Sequence, residues 1–465
     1  MSDHTGPHDS SNERPEDELR RLIEQLLSGN LPDADVPGGL DLSRLAAAAG
    51  LPTDQNALAQ FMIQLQQSMN AAGDGIDWNL VRDSAKRAAV GNREVSDDER
   101  REYDQAFTLA QLWLGEATSV GDLTETGRSI TRHEWIVQTM PAWQEMCDPV
   151  GQRISDALMT TLTEQTPEQL RDMIAQSTGM VRSMGNSMFA MQMGQTIGKL
   201  AESVLAGGDI GMPVLPHGRA ALVPQNIATW AEGLEVPQQE LVLWFAVRES
   251  AHAHLFQHAK WLRLHLETSI AEFAAGISID TTSIEATVRD LDLSNPDEIQ
   301  QVLASGQLIP PRTDEQQQAL DRLETMVALI EGWVDVVTAE ATQRLPHADA
   351  IAEMVRRRRA TGSPAERAFG ALVGLEIRPR RLREAAAMWR TVTERLGADT
   401  RDALWDHRDA LPDANDIDSP DALVDRLAGA ENERPLDEID SDLQRLLDDP
   451  ESFGDAPQGG EQQRD

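Results

Sequence analysis

The sequence predicts an all-α protein, a large multi-helix body between two acidic, disordered tails. Three observations lead there. Helix start signals recur: Ser96-Asp-Asp-Glu99, Thr131-Arg-His-Glu134 and Thr313-Asp-Glu-Gln316 each match the capping box, in which the hydroxyl accepts an orphan N–H and the Glu or Gln reaches back. Apolar residues return at steps of three and four, the period of a helix face. No stretch alternates apolar and polar between hairpin turns, so no sheet is expected.

Composition narrows the function classes. At 465 residues the chain has room for two or three ordinary domains, or one helical body with tails. Hydrophobic residues make up 40%, with 10 Trp and 16 Met, which is enough for a substantial core. A net charge of −37 argues against a general nucleic-acid binder and against an anionic membrane surface, since both need positive fields. The single cysteine, Cys147, excludes an intramolecular disulfide and any zinc site with two thiolates; a buried free thiol is expected. The opening MSDHTGPHDSSNERPEDE has neither the basic nor the apolar region of a signal peptide. No apolar run reaches the roughly 18 residues of a membrane span. A cytoplasmic protein is expected.

In chain order, residues 1–40 read as a polar arm with a short acidic helix, Glu16–Leu27, and a Gly/Pro/Asp linker. Residues 41–435 form the body. Residues 436–465 mirror the start, with an acidic helix at Leu436–Leu447 and a polar tail. Within the body, the helix from about Gly179 to Leu205 carries Met180, Met184, Met188 and Met191 at helical spacing, a core stripe. It also carries Gly194 and Gly198, which let another helix approach closely. The helix from Asp314 to about Arg344 has Leu320, Leu323, Val327, Ile330, Val334 and Val337 on a buried seam, with Glu331 in its middle. A last helical region from Pro364 to Asp406 is broken near Pro379. Arg356–Arg359 with Arg378, Arg380, Arg381 and Arg383 make a local basic patch, read as pairing with the acidic excess or as a phosphate site.

The body is organised around VPQQELVLWFAVRESAHAHLFQH, Val236–His258. Pro237 suits a first helical turn, where its missing N–H costs nothing. Val242, Leu243, Trp244, Phe245 and Val247 face successive sides, so a core helix is predicted. Polar groups in the middle of such a helix need partners. Here they are Arg248-Glu249-Ser250-Ala251-His252, one residue short of the His-Glu-x-x-His helix of zinc peptidases. In that motif two histidines four apart hold one zinc, and the intervening Glu polarises the zinc-bound water.

Glu249 holds the position of that Glu, a candidate general base, and His252 that of the second ligand. Arg248 replaces the first, and a guanidinium has no free lone pair to give a metal. A metal set then needs other donors: Glu331 from a distant helix, or His258, with His254 and His265 as further candidates. His252 and His258 are six residues apart and meet only if the helix turns near Phe256. The metal-free alternative pairs Arg248 with Glu249, Glu331 or Asp335 and makes His252 a hydrogen-bond partner. His133-Glu134 is a decoy, since Val137 fills the second ligand position and Glu134 serves as a cap.

From about Trp78 to Leu427 the chain resembles a bacterial family of zincin-like metallopeptidases, type two, regarded as hydrolases or zinc-dependent metalloproteases. The stretches that carry the resemblance include IDWNLVRDSAKR, TRHEWIVQTMPAW, MGQTIGKLAESVLAGGDIGMPV, RESAHAHLFQHAKWLRLHL, MVALIEGWVDVV and RAFGALVGLEIRPRRLREAAAMWR. The resemblance implies a mostly helical body, Glu249 as general base, His252 as a zinc ligand and Glu331 as a further ligand. It also implies a branch with Arg-Glu-x-x-His in place of the zinc motif. Two functions follow: a hydrolase that keeps metal-assisted or Glu249-based water activation, or a non-catalytic helical scaffold that binds a peptide or partner protein.

Overall fold

The computed structural model describes residues 75–121, 123, 125–165, 186–187, 189–275, 313–360 and 381–433, all within one contact unit of the chain. The expected tails, the terminal helices Glu16–Leu27 and Leu436–Leu447, Met180, Met184, Met188, Arg378 and Arg380 lie outside the described residues. The described part is helical, as the sequence predicts. Its departures are a pair of two-residue strands, β1 (Arg128–Ser129) and β2 (Ala221–Leu222), parallel, with Arg128 opposite Ala221, and a single antiparallel bridge from Ala206 to Leu222. Strands that short have no alternation to betray them.

Helix α1 (Trp78–Ala88) starts at Asp77, whose carboxylate accepts the N–H groups of Asn79 and Leu80. Helix α2 (Asp97–Ala117) carries the full Ser96–Glu99 capping box, and α3 (Arg132–Gln165) the reciprocal Thr131–Glu134 pair. Helix α4 covers 189–201 and packs on α1 as its glycines foretell: a Cβ at Gly194 or Gly198 would stand 2.6 or 2.5 Å from the carbonyl oxygens of Val81 and Ala85. Helix α5 (Pro224–Ala231) follows β2.

Helix α6 (Gln238–His258) is the motif helix; α7 (Lys260–Ala275) continues from it and α8 (Asp314–Ala341) carries the predicted seam, every member of which is buried. Helix α6 packs on α2 and α8, and α8 packs in turn on α7 and on α10 (Leu382–Leu396). The two meet at backbone distance, because a Cβ at Gly332 would lie 2.8 Å from the Ala386 nitrogen. Helix α9 (Ala348–Ala360) bears the arginine run; α11 (Ala398–Ala403), α12 (Ala414–Asp418) and α13 (Pro420–Glu433) close the chain. A break between α10 and α11 falls at Gly397, whose φ of 91° ends the helix, while the break expected near Pro379 lies outside the described residues.

One buried charge cluster ties the end of α11 into this body. Asp402 accepts from Arg401 Nε at 2.7 Å, from Trp333 Nε1 at 2.8 Å, from Thr118 Oγ1 at 2.6 Å and from the Ser119 N–H at 2.9 Å. Arg401, with no exposed surface, also reaches Glu340 at 2.9 Å and the Ala117 carbonyl at 2.8 Å. Cys147 is buried as expected, and burial pushes its thiol up to about 12, so it is inert at neutral pH. Among the described residues no helix is long and apolar enough to cross a membrane.

Candidate functional site

The centre of α6 is buried on every side, and Arg248, Glu249 and His252 are buried with it. Helix α8 brings Glu331 against them. Arg248 Nη2 donates to Glu331 Oε2 at 2.5 Å, and His252 Nε2 lies 3.1 Å from Glu331 Oε1. From α9, Arg359 also donates to Glu331 Oε2. Both oxygens of one buried carboxylate are thereby used by three cationic or imidazole groups from two helices. Burial opposes ionisation of Glu331, but Arg359, Arg248 and the His252 bond outweigh it and hold its carboxyl well below the usual range. Asp335, one turn along α8, stands 4.0 Å from Arg248 and 3.8 Å from Arg356.

Glu249 points the other way. Its Oε2 accepts the N–H of Gly208 at 2.9 Å and its Oε1 that of Ala221 in β2 at 3.1 Å. Burial pushes its carboxyl up to about 8, against the pull of those two backbone donors. The loop that supplies Gly208 lies directly on the motif: a Cβ at Gly208 would sit 3.0 Å from both Glu249 Oε2 and the His252 ring. The next residue, Asp209, accepts from Arg358 Nη1 at 2.9 Å and from the Leu205 N–H at 3.0 Å. Burial works against its charge too, yet Arg358 and Arg359 keep its pKa lowered. The arginine run of α9 is therefore spent on intramolecular pairing, Arg356 with Asp335, Arg357 with Glu353, Arg358 with Asp209 and Arg359 with Glu331.

Of the residues singled out in the sequence, the fold brings together Arg248, His252 and Glu331, with Glu249 beside them. His258 does not join them. Helix α6 runs unbroken to His258, without the turn near Phe256 that a shared site requires, and His258 Nε2 faces Asp406 at 2.8 Å instead. His254 lies two residues on from His252, on another face of α6, and His265 packs against Trp261 on α7. Sequence reasoning missed Asp209 and the Gly207-Gly208 approach. The doubled glycine in LAGGDIG was the available signal, as backbone that must come close to something.

The donor set can be tested against zinc. A tetrahedral site needs three or four N, O or S donors at about 2.0–2.3 Å. Here His252 and Glu331 are bonded to each other, and guanidinium groups occupy the carboxylate edge where a cation would stand. Among the described residues, no three His, Cys, Asp or Glu side chains are grouped to hold a metal ion. The residues present do not fit the metal.

The family profile described as zincin-like metallopeptidase matches residues 76–424, three quarters of the chain. The chain belongs to the zincin-like metallopeptidase family. A solved structure from Chloroflexus aurantiacus, described as a proposed hydrolase with a novel fold, is similar at a TM-score of 0.53 and 19% identity. The match covers 76% of this chain and 99% of that one. At that identity it shows a shared fold. No curated protein matches the chain. Within this zincin-like fold, the residues of the zinc motif form an ion-pair centre around Glu331 and a second, backbone-bound carboxyl at Glu249.

Proposed function

We propose that this zincin-like protein works without zinc, with the fixed charge of Arg248 in place of a metal, and that it binds a peptide or protein partner rather than cleaving it. The observation that carries this reading is the Glu331 carboxylate, bonded to Arg248, Arg359 and His252 together. A guanidinium is always protonated and cannot leave its charge behind. Zinc would have to displace two of them from a buried anion, and truncating or breaking such a buried pair costs about 3–5 kcal/mol.

A second reading keeps hydrolysis, with Glu249 alone activating water. Its support is a carboxyl raised to about 8, suited to proton transfer near neutrality, at the edge of a small recess shared with His252.

Metal analysis of the chelator-free protein, beside His252→Ala and Glu331→Ala, tests the first reading. Absence of metal after zinc is supplied is the expected result. Stoichiometric zinc in the wild type, lost in both variants, would overturn it. A peptide and ester turnover screen, with Glu249→Gln as control, then separates the two readings: turnover abolished in that variant establishes the hydrolase.

A further inference from the structure

The two readings above share an obstacle, which is that the cleft over the motif helix is already filled. Residues 207–218 start beside β2, where Ala206 bridges to Leu222 and the Gly207 N–H donates to the Ala221 carbonyl, cross α6 and lead back to β2. Along the way Met212, Val214 and Leu215 are buried, and Leu215 is extended, with φ −82° and ψ 145°. Two small recesses flank this segment and share Met212, Pro213 and Val214 as walls. One recess reaches Glu249, His252 and Phe256 of α6; the other reaches Met146 of α3 and Leu266 and Ile270 of α7. The segment thus lies in a trough between three helices, with unfilled space on both of its flanks.

Its attachment is of two kinds. Apolar side chains fill the trough, the Gly207 N–H pairs with the Ala221 carbonyl of β2 at 2.9 Å, Gln257 Nε2 donates to the Gly218 carbonyl at 3.4 Å, and two polar side-chain latches hold the stretch just after Gly207. The first latch is the Gly208 N–H on Glu249, at 2.9 Å. The second is the Asp209 carboxylate on Arg358, at 2.9 Å, with Arg359 at 3.8 Å. Arg359 belongs to the Glu331 centre as well, so the latch and the ion-pair centre share a cation. Glycines with positive φ stand within and at the end of the segment, 75° at Gly211 and 63° at Gly218, conformations from which glycine swings at little steric cost.

We propose that residues 207–218 are an autoinhibitory strap, occupying the trough over the motif helix in the place of an external ligand. That ligand is an apolar, proline-containing peptide, which the strap imitates with Met212-Pro213-Val214-Leu215-Pro216, tightly turned at Pro213, where the Val214 N–H donates to the Met212 carbonyl at 3.0 Å, and extended at Leu215. When the strap lifts, Glu249 loses its Gly208 donor and the recess beside His252 opens into the trough. An incoming peptide can restore that donor with a main-chain N–H, the mode by which extended peptides gain affinity, while its side chains take the apolar floor. The peptide as ligand rests on the binding reading given above; the strap does not.

Hydrogen exchange read by mass spectrometry on the full chain tests it, with Asp209→Ala to cut the second latch and Arg358→Gln to cut it from the other side should the first fail to fold. The expected result is exchange about tenfold faster across 210–218 in the variant, with α6 and α8 unchanged, the signature of a local opening. A labelled synthetic peptide of residues 210–217 is the binding probe, and it should bind the variant about tenfold more tightly than wild type, because the competing strap is weakened. Exchange of the strap only together with α6, in wild type and variants alike, would overturn the strap. Faster local exchange with no gain in peptide binding would overturn the peptide as its competitor. Neither result depends on metal content, so failure here is distinguishable from failure of the zinc-free reading.

Discussion

Arg248 Nη2 lies 2.5 Å from Glu331 Oε2, so a fixed cation on the motif helix, standing at the position of the zinc motif's first histidine, meets the carboxylate of α8. His252 completes the contact on the other oxygen. The pair is buried, which makes its two halves unequal. Glu331 neutralises two guanidinium groups, whereas Arg248 is one of two that serve Glu331.

That inequality sets the first prediction. Glu331→Ala leaves two buried guanidinium groups without their carboxylate and should cost about 3–5 kcal/mol in urea unfolding. Arg248→Met leaves Arg359 and His252 on Glu331 and keeps the volume, so its cost should stay under about 2 kcal/mol. Equal losses in the two variants would show that the centre is not organised around Glu331.

The absence of a fitting donor set has a constructive counterpart. In the double variant Arg248→His, Arg359→Met, the two guanidinium groups are gone and imidazoles stand four residues apart on α6, beside Glu331. Such a set matches a two-His, one-carboxylate zinc site. Zinc titration should show binding and a raised Tm in the double variant and neither in wild type. Failure of the double variant to take zinc would mean that the helix spacing, and not the arginines, keeps the metal out.

Glu249 sets a pH dependence. Its folded pKa, about 8, lies above the ordinary carboxyl value, so its neutral form is the one the fold prefers. Its contribution is fully present below the unfolded pKa and is lost as pH rises toward 8. Between pH 5.5 and 7.5 the wild type should lose about 1 kcal/mol of stability per pH unit relative to Glu249→Gln, following proton linkage. Glu331 and Asp209, whose pKa values are lowered, act in the opposite sense, with stability lost as pH falls through their folded values. Both groups are present in the two proteins, so the difference profile isolates Glu249. A flat difference would mean that Glu249 is ionised in the folded chain.

Two residues beyond Glu331, Trp333 donates to Asp402, which should be as sensitive as Glu331. Asp402→Ala leaves Arg401 in the interior with Glu340 as its remaining carboxylate, beside the neutral Ala117 carbonyl, and removes the acceptor of Trp333, Thr118 and Ser119. A loss of about 3–5 kcal/mol is expected, against about 1 kcal/mol for Thr118→Val, by thermal or urea unfolding.

The sequence by itself determined the helical class, the caps at Ser96, Thr131 and Thr313, the buried seam of α8 and the close glycine contact of α4. These are readable because a cap or a helix face is set by residues three or four apart. It also marked Arg248, Glu249, His252 and Glu331 as residues needing partners, since each is polar in an apolar helix. Only the tertiary structure decided which partners they take. Arg248 and His252 meet Glu331, from 83 and 79 residues away, while Glu249 turns to the Gly208 and Ala221 amides. His258, six residues beyond His252, finds Asp406 instead. No local pattern encodes such choices, because they depend on how the α6, α8 and α9 surfaces pack and on which charges that packing places against the buried carboxylate.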